Sequence, residues 1–334
     1  MPPLYIVEQG ARLSIEQRQI VVKTRTNAEF KRPLAHTNAV IIFGNATVTT
    51  PALKRLMRLG IDVIFLTAQG SYEGRLVGPL SKFGLLRQRQ YEVLRDPAFR
   101  LAVAQAIVQA KCLNLRTLLL RANRERAHPE IGASVERLGW LAERAARTTR
   151  LNALLGVEGQ GAAAYFSVFR HLIKPAWTFE RRMRRPPPDP VNVLLSFGYT
   201  LLARELEASV ALVGLDPYLG CLHTTEYGRP SLALDLMEEF RAIIVDSVVL
   251  RCLNNDLVRP DDFTPGTSPD RPILLGDAGK RRFLQAFEDR VMTTIQHPIS
   301  GETLTYRRVF ELQTRLLARC IRDQTPGYPP FRVR

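Results

Sequence analysis

Residues 39–66 read Ala39-Val-Ile-Ile-Phe-Gly-Asn-Ala-Thr-Val-Thr-Thr-Pro-Ala-Leu-Lys-Arg-Leu-Met-Arg-Leu-Gly-Ile-Asp-Val-Ile-Phe-Leu66. The stretch opens and closes on short apolar runs, Ala39–Phe43 and Ile61–Leu66, of strand length and rich in β-branched residues. Between them Thr50-Pro51 opens a short helix, Pro51–Arg58. Thr serves as N-cap, Pro takes the first helical position and Gly60 stops the turn. Upstream, Leu4–Val7 and Ile20–Lys23 are further β-propensity runs on either side of a polar stretch. Residues 1–80 therefore read as a small β-rich domain.

From about Ser81 the apolar period becomes helical. Ala98–Asn123 carries Leu101, Ala104, Ile107, Val108 and Leu115 on one face of a long helix. Pro129–Arg150, Leu151–Leu172, Val191–Val213, Ser231–Leu253, Lys280–Gln296 and Glu302–Arg322 repeat that period. Glu180–Pro190 breaks it with three successive prolines and four arginines. Residues 255–275 are Pro/Asp-rich and read as loop, and Thr325–Arg334, with three prolines, reads as a tail. The chain is expected to be α+β: a β-rich domain over 1–80 and a larger all-α domain over 81–334.

The 334 residues include 46% hydrophobic and 24% charged residues, enough for a buried core and against wholesale disorder. No apolar run approaches the roughly 18 residues of a membrane span. The amino terminus lacks the basic start and apolar middle of a signal peptide, so a cytoplasmic location is expected. Lys+Arg exceed Asp+Glu by 47 to 32, a net charge of +15. Such a surface fits a polyanion, and arginine, which outnumbers lysine 40 to 7, suits phosphate. Cys112, Cys221, Cys252 and Cys320 have no metal-ligand spacing and read as buried thiols.

Three segments concentrate site chemistry. In Leu154–Phe166, Glu158 stands among Gly156, Gly159 and Gly161, each costly in a helix by about 1 kcal/mol against Ala. Close approach of a backbone or a ligand would offset that cost. Val213–Thr224 turns at Gly214 and Asp216-Pro217 and leads to His223. Arg229–Arg241 places Asp235 at 0°, Glu238 near 300° and Glu239 near 40° on a helical wheel, whereas Leu232, Leu236, Met237, Phe240 and Ile243 fall at about 60–200°. An acidic face results, which a solvated first helical turn would also produce. In a +15 polyanion binder, a divalent cation bridging carboxylates to phosphate gives such a face a purpose. Oxygen ligands suit Mg²⁺, and an added imidazole suits Mn²⁺ as well.

These residues bring a family into view. Leu155-Gly-Val-Glu-Gly159, Gly214-Leu-Asp-Pro-Tyr-Leu-Gly-Cys-Leu-His223 and Arg229-Pro-Ser-Leu-Ala-Leu-Asp-Leu-Met-Glu-Glu-Phe-Arg241 resemble the CRISPR-associated integrase and endonuclease family, the first of the Cas proteins. Lys111–Arg121, Gly60–Leu66 and Tyr328–Phe331 are also similar. The resemblance implies a homodimer formed through the β-rich domain, with two dimers flanking a dimer of the small second Cas protein. It implies insertion of short DNA fragments into a CRISPR array by attack of a 3′-hydroxyl on a phosphodiester. It carries over Glu158, His223 and Glu238 as metal ligands and catalytic residues. Asp235 is expected to orient a ligand, and loss of Glu239 to be mild. A DNA nuclease without integration and a non-catalytic DNA-binding scaffold are the competing readings.

Overall fold

The computed structural model describes residues 3–70, 72–76, 78, 83–125, 127–223, 226–325 and 327–333. It divides into two compact units, one of residues 1–80, 262–265 and 274–281, the other of residues 81–261, 266–273 and 282–334.

The first unit holds β1 (Leu4–Ile6), β2 (Arg12–Glu16), β3 (Gln19–Lys23), β4 (Glu29–Pro33), β5 (Ala39–Phe43), β6 (Thr47–Val48), α1 (Thr50–Arg58), β7 (Asp62–Leu66) and β8 (Tyr72–Leu76). One sheet has the order β1-β5-β7-β8, parallel across β1, β5 and β7 and antiparallel at β8. The other has the order β4-β3-β2-β6. Leu4, Ile6, Leu13, Ile20, Val40, Ile42, Val63 and, from α1, Ala52 and Leu56 form one core. The stretch between the first two expected strands is itself a strand, β2. It pairs antiparallel to β3 and parallel to β6, so its partners rather than its own pattern define it. The helix begins at Thr50, its cap residue is Thr49, and that side chain makes no capping bond. Gly60 stops the turn with φ +67°.

The second unit is helical: α2 (Gly84–Val93), α3 (Pro97–Glu125), α4 (Pro129–Arg147), α5 (Leu151–Val168), α6 (Pro190–Val213), α7 (Ser231–Met237) and α8 (Ser247–Asn254). Two strands, β9 (Phe263–Ser268) and β10 (Arg271–Leu275), pair where a loop was expected. α9 (Asp277–Val291), the antiparallel pair β11 (Thr294–Gln296) and β12 (Thr303–Thr305), and α10 (Tyr306–Asp323) complete the chain. α3 packs on α4 and α5, and α6 on α7 and α10. Gly161 of α5 faces α3, where a Cβ would meet Cys112 Sγ at 3.1 Å. Gly156 and Gly159 face open space instead. All four cysteines are free and buried. Among the described residues no helix is long and apolar enough to cross a membrane.

Two expectations are corrected here. Ser231–Leu253 is not one α-helix. After Met237 the chain tightens, with Glu238 N donating to Asp235 O at 3.1 Å, and then widens into a π-helical segment, Arg241–Asp246, before α8. The carboxy-terminal residues are not a loose tail either. Tyr328 and Phe331 are buried, and Phe331 stacks on Phe240 with centroids 5.3 Å apart.

Candidate active site

The site is built on α3, α5, the loop after α6 and the irregular stretch after α7. Lys111 of α3 lies within the helical core and is 5% exposed. Its ammonium is paired with Glu158 of α5 and lies 2.6 Å from Glu238 Oε2. Arg241 Nε also reaches Glu238 Oε2, at 2.8 Å. Burial pushes the Glu238 carboxyl up, but the neighbouring Arg241 and Lys111 cations outweigh it and hold it well below the usual carboxylate range. Burial would lower Lys111, yet Glu238 and Glu158 keep it above its ordinary value. Glu158 is the half-open member of this group, with its side chain 19% exposed.

Asp235 acts on His223. Its Oδ1 accepts from His223 Nδ1 at 2.7 Å and from His223 N at 3.0 Å. Its Oδ2 accepts from the backbone N–H groups of Cys221 and Leu222 at 2.5 and 2.9 Å. One buried carboxylate thus pins the whole Cys221–His223 turn to α7. The approach is close enough to require Gly220, where a Cβ would meet Asp235 Oδ2 at 2.6 Å. With its proton held at Nδ1, His223 keeps the lone pair of Nε2 for a ligand.

The acidic face of the wheel is buried, not solvated: Asp235, Glu238 and Glu239 are all at most 2% exposed. Each has its own partner. Glu239 turns toward the carboxy-terminal strap, where Oε1 accepts from Tyr328 Oη at 2.6 Å. Its Oε2 accepts from Phe331 N at 2.6 Å and from Gln313 Nε2 at 3.1 Å. Burial pushes this carboxyl up to about 7, against those three donors. Glu239 is thus an anchor of the carboxy-terminal strap, so its loss is expected to cost stability whatever it does to the chemistry.

Sequence reasoning missed Lys111 and Arg241 as members of the group. A signal existed for Lys111: it is the lone charge between Arg100 and Arg116, in an apolar run of α3. Glu158, Glu238 and His223 Nε2 are the groups with the chemistry to hold a divalent ion. Two oxygens and one imidazole suit Mg²⁺ or Mn²⁺, and the Lys111 ammonium shows that the carboxylates already attract a cation. Their ligand atoms are not closed into a tight set. Among the described residues, those of His128, Glu130 and His171 are, all within 4.8 Å of one another. In the Glu180–Pro190 loop, Arg184 and Arg185 are exposed. Arg182 instead points inward, donating to Asn192 Oδ1 at 2.8 Å and Ser196 Oγ at 3.0 Å.

Comparison with known proteins shows what the whole chain is similar to. The chain is 40% identical over 333 residues to a protein of Thermus thermophilus named CRISPR-associated endonuclease Cas1 3, covering 99% of this chain and 97% of that one. A solved structure described as a casposase bound to integration product matches with a TM-score of 0.84 at 23% identity, over 97% of this chain and 92% of that one. A structure described as a Cas6-RT-Cas1–Cas2 complex matches with a TM-score of 0.84 at 25% identity, over 99% of this chain and 36% of that one. A family model described as CRISPR associated protein Cas1 matches residues 4–289. The chain belongs to the Cas1 family of CRISPR-associated proteins.

Proposed function

We propose that this chain is a divalent-metal-dependent DNA strand transferase and endonuclease of CRISPR adaptation, with Glu158, His223 and Glu238 as metal ligands. One observation carries the reading. Glu158 and Glu238, from distant segments, meet at a single ammonium, beside an imidazole whose free nitrogen is set by Asp235. A bound Mg²⁺ or Mn²⁺ would stabilise charge on the attacked phosphate and activate the attacking hydroxyl. The chain's own groups prepare the place. Arg241 fixes Glu238 in its ionised form. Asp235 holds the His223 proton at Nδ1. Gly156 and Gly159, open on either side of Glu158, leave room for a DNA backbone. A 3′-hydroxyl forms one phosphodiester as another breaks, so no nucleotide energy source is required. Water in place of the hydroxyl gives cleavage.

The partners follow the same reading. The +15 charge fits DNA, both the double-stranded fragment and the repeat. The β-rich unit is the proposed homodimer interface, and a Cas2 dimer the proposed bridge between two such homodimers; that a 25% identical neighbour is described as a Cas6-RT-Cas1–Cas2 complex supports Cas2 as a partner. Sedimentation at the mass of one chain would remove the homodimer, and failure to co-purify with Cas2 would remove the bridge.

The test is joining of a labelled 3′-hydroxyl fragment to supercoiled repeat DNA across Mg²⁺ and Mn²⁺ concentrations. Glu158→Ala, His223→Ala and Glu238→Ala each reduce joining to background while DNA binding persists. Asp235→Asn, which acts through His223, loses about 10- to 100-fold. Cleavage without joining in the parent protein leaves a nuclease only. Full joining by Glu238→Ala overturns the assignment.

A further inference from the structure

We infer that His128, Glu130 and His171 form a second metal site, for a borderline transition ion of the zinc class, separate from the carboxylate-rich site. His128 and Glu130 stand at the start of α4, and His171 in the turn that follows α5. The ligand atoms of all three lie within 4.8 Å of one another. His171 Nε2 is 2.9 Å from Glu130 Oε2. The two imidazoles are stacked, with centroids 3.9 Å apart and 27° between planes. His171 lies 13 residues beyond Glu158, past the end of α5, so one ion does not serve both groups.

Three observations favour an ion over a plain histidine–carboxylate pair. First, His128 Nδ1 is buried and has no hydrogen-bond partner, an arrangement that burial penalises unless the nitrogen gains a ligand. Second, the ligands are held in place by their own scaffolds. The Asn123 side chain accepts from His128 N at 2.7 Å, Pro129 opens α4 behind it, and Asn254 Nδ2 donates to Leu172 O at 2.8 Å beside His171. Third, two imidazoles and one carboxylate form a set that favours zinc over magnesium, with three protein ligands and an exposed side left for water. Arg170 opposes the ion: its Nη2 is 3.5 Å from Glu130 Oε2 and its Nε 3.4 Å from His171 Nε2. That side chain is 55% exposed and is free to turn outward as the ion enters. A bound ion would tie the first turn of α4 to the end of α5, the helix that carries Glu158.

The full chain, stripped with chelator, is titrated with Zn²⁺ against a chromophoric competitor in excess Mg²⁺. One zinc binds per chain, and X-ray absorption shows imidazole scattering. Glu130→Ala, a half-exposed position where folding is not at stake, and His171→Ala each weaken zinc at least 10-fold. Arg170→Ala tightens it. Zinc affinity is unchanged in the Glu158→Ala, His223→Ala, Glu238→Ala triple variant. Wild-type affinity in both Glu130→Ala and His171→Ala, or loss of zinc only in the triple variant, would overturn the site.

Discussion

Removing the Lys111 ammonium leaves two carboxylates facing one another with Arg241 as their remaining close cation. Taking one partner from a buried ion pair costs about 3–5 kcal/mol, because the charge left behind is uncompensated. Lys111→Met is therefore expected to unfold at lower urea in EDTA and to regain stability with Mn²⁺ by more than the parent protein does. Equal stabilisation by Mn²⁺ in both proteins sinks the idea that the ammonium occupies a cation's place. A second residue reports through pH. Burial pushes Asp246 up from 3.8 to about 6, opposed by the bond from Tyr199 Oη at 2.6 Å. The native state then binds more protons than the unfolded chain. This contribution is fully present below pH 3.8 and is lost as pH rises through about 6. Its slope is at most about 1.4 kcal/mol per pH unit. Asp246→Asn keeps an acceptor for Tyr199 and removes that slope, so its stability relative to the parent should improve between pH 4 and 6. A difference that stays flat in urea titrations refutes the assignment. Glycines drew attention to Glu158, a turn to His223 and a wheel angle to the acidic face, but the wheel left Asp235, Glu238 and Glu239 open, and only the family resemblance singled out Glu238. Lys111 stood out only as a lone charge in an apolar run; its role was not legible, because its partners, Glu158 and Glu238, arrive from elsewhere in the chain.

At the scale of elements, long helices were readable and irregular ones were not. Pro129 and Pro190 begin α4 and α6, and Gly214, at φ +97°, ends α6, each by local backbone chemistry visible in the sequence. The stretch 231–254 keeps a continuous apolar period although its backbone switches from α to π, because the period survives one extra residue in a turn. Just before that switch, neighbours Glu238 and Glu239 diverge by about 100°, as successive helical residues do, so that one meets Lys111 and the other the strap. Strands β2 and β6 were missed because their pairing is with residues outside their own run. The strap was misread because prolines announce a break in helix, not exposure. Phe331 is 1% exposed and lies between Phe240, Tyr306 and His297. Phe331→Ala should cost about 3–5 kcal/mol in urea unfolding, the range for truncating a buried aromatic. A cost under about 1 kcal/mol would mean that the strap lies on the surface of the core instead of within it.

Over the whole molecule the dominant quantity is charge. A chain of +15 that binds DNA through phosphates releases counterions, and its affinity falls with salt by about 0.9 log unit per log unit for each phosphate neutralised. Two surfaces compete for those contacts. The first is the exposed pair Arg184 and Arg185 in the proline loop. The second is on α4, where Arg137 and Arg144 lie 4.9 and 5.1 Å from the centroid of the exposed Trp140 ring. Trp140 also lines an open cleft of about 470 Å³ with Arg144, Arg147, Arg150, Thr148 and Thr149, in which Glu143 is the one acidic lining residue among the described residues. The α4 surface has the stronger claim. It combines guanidinium groups with an aromatic face, the combination single-stranded ends use, and the adjoining helix α5 carries Glu158 about 12 Å beyond Arg150 by helical rise. Arg144→Glu with Arg147→Glu should lower affinity at least 10-fold and flatten the salt slope by about 2, the share of two phosphates. Arg184→Glu with Arg185→Glu should change both less. Binding is read by fluorescence anisotropy from 50 to about 300 mM salt, a range over which screening removes exposed charge interactions. If the α4 pair leaves affinity and slope intact while the loop pair abolishes both, DNA follows the loop and the Trp140 cleft belongs to another ligand.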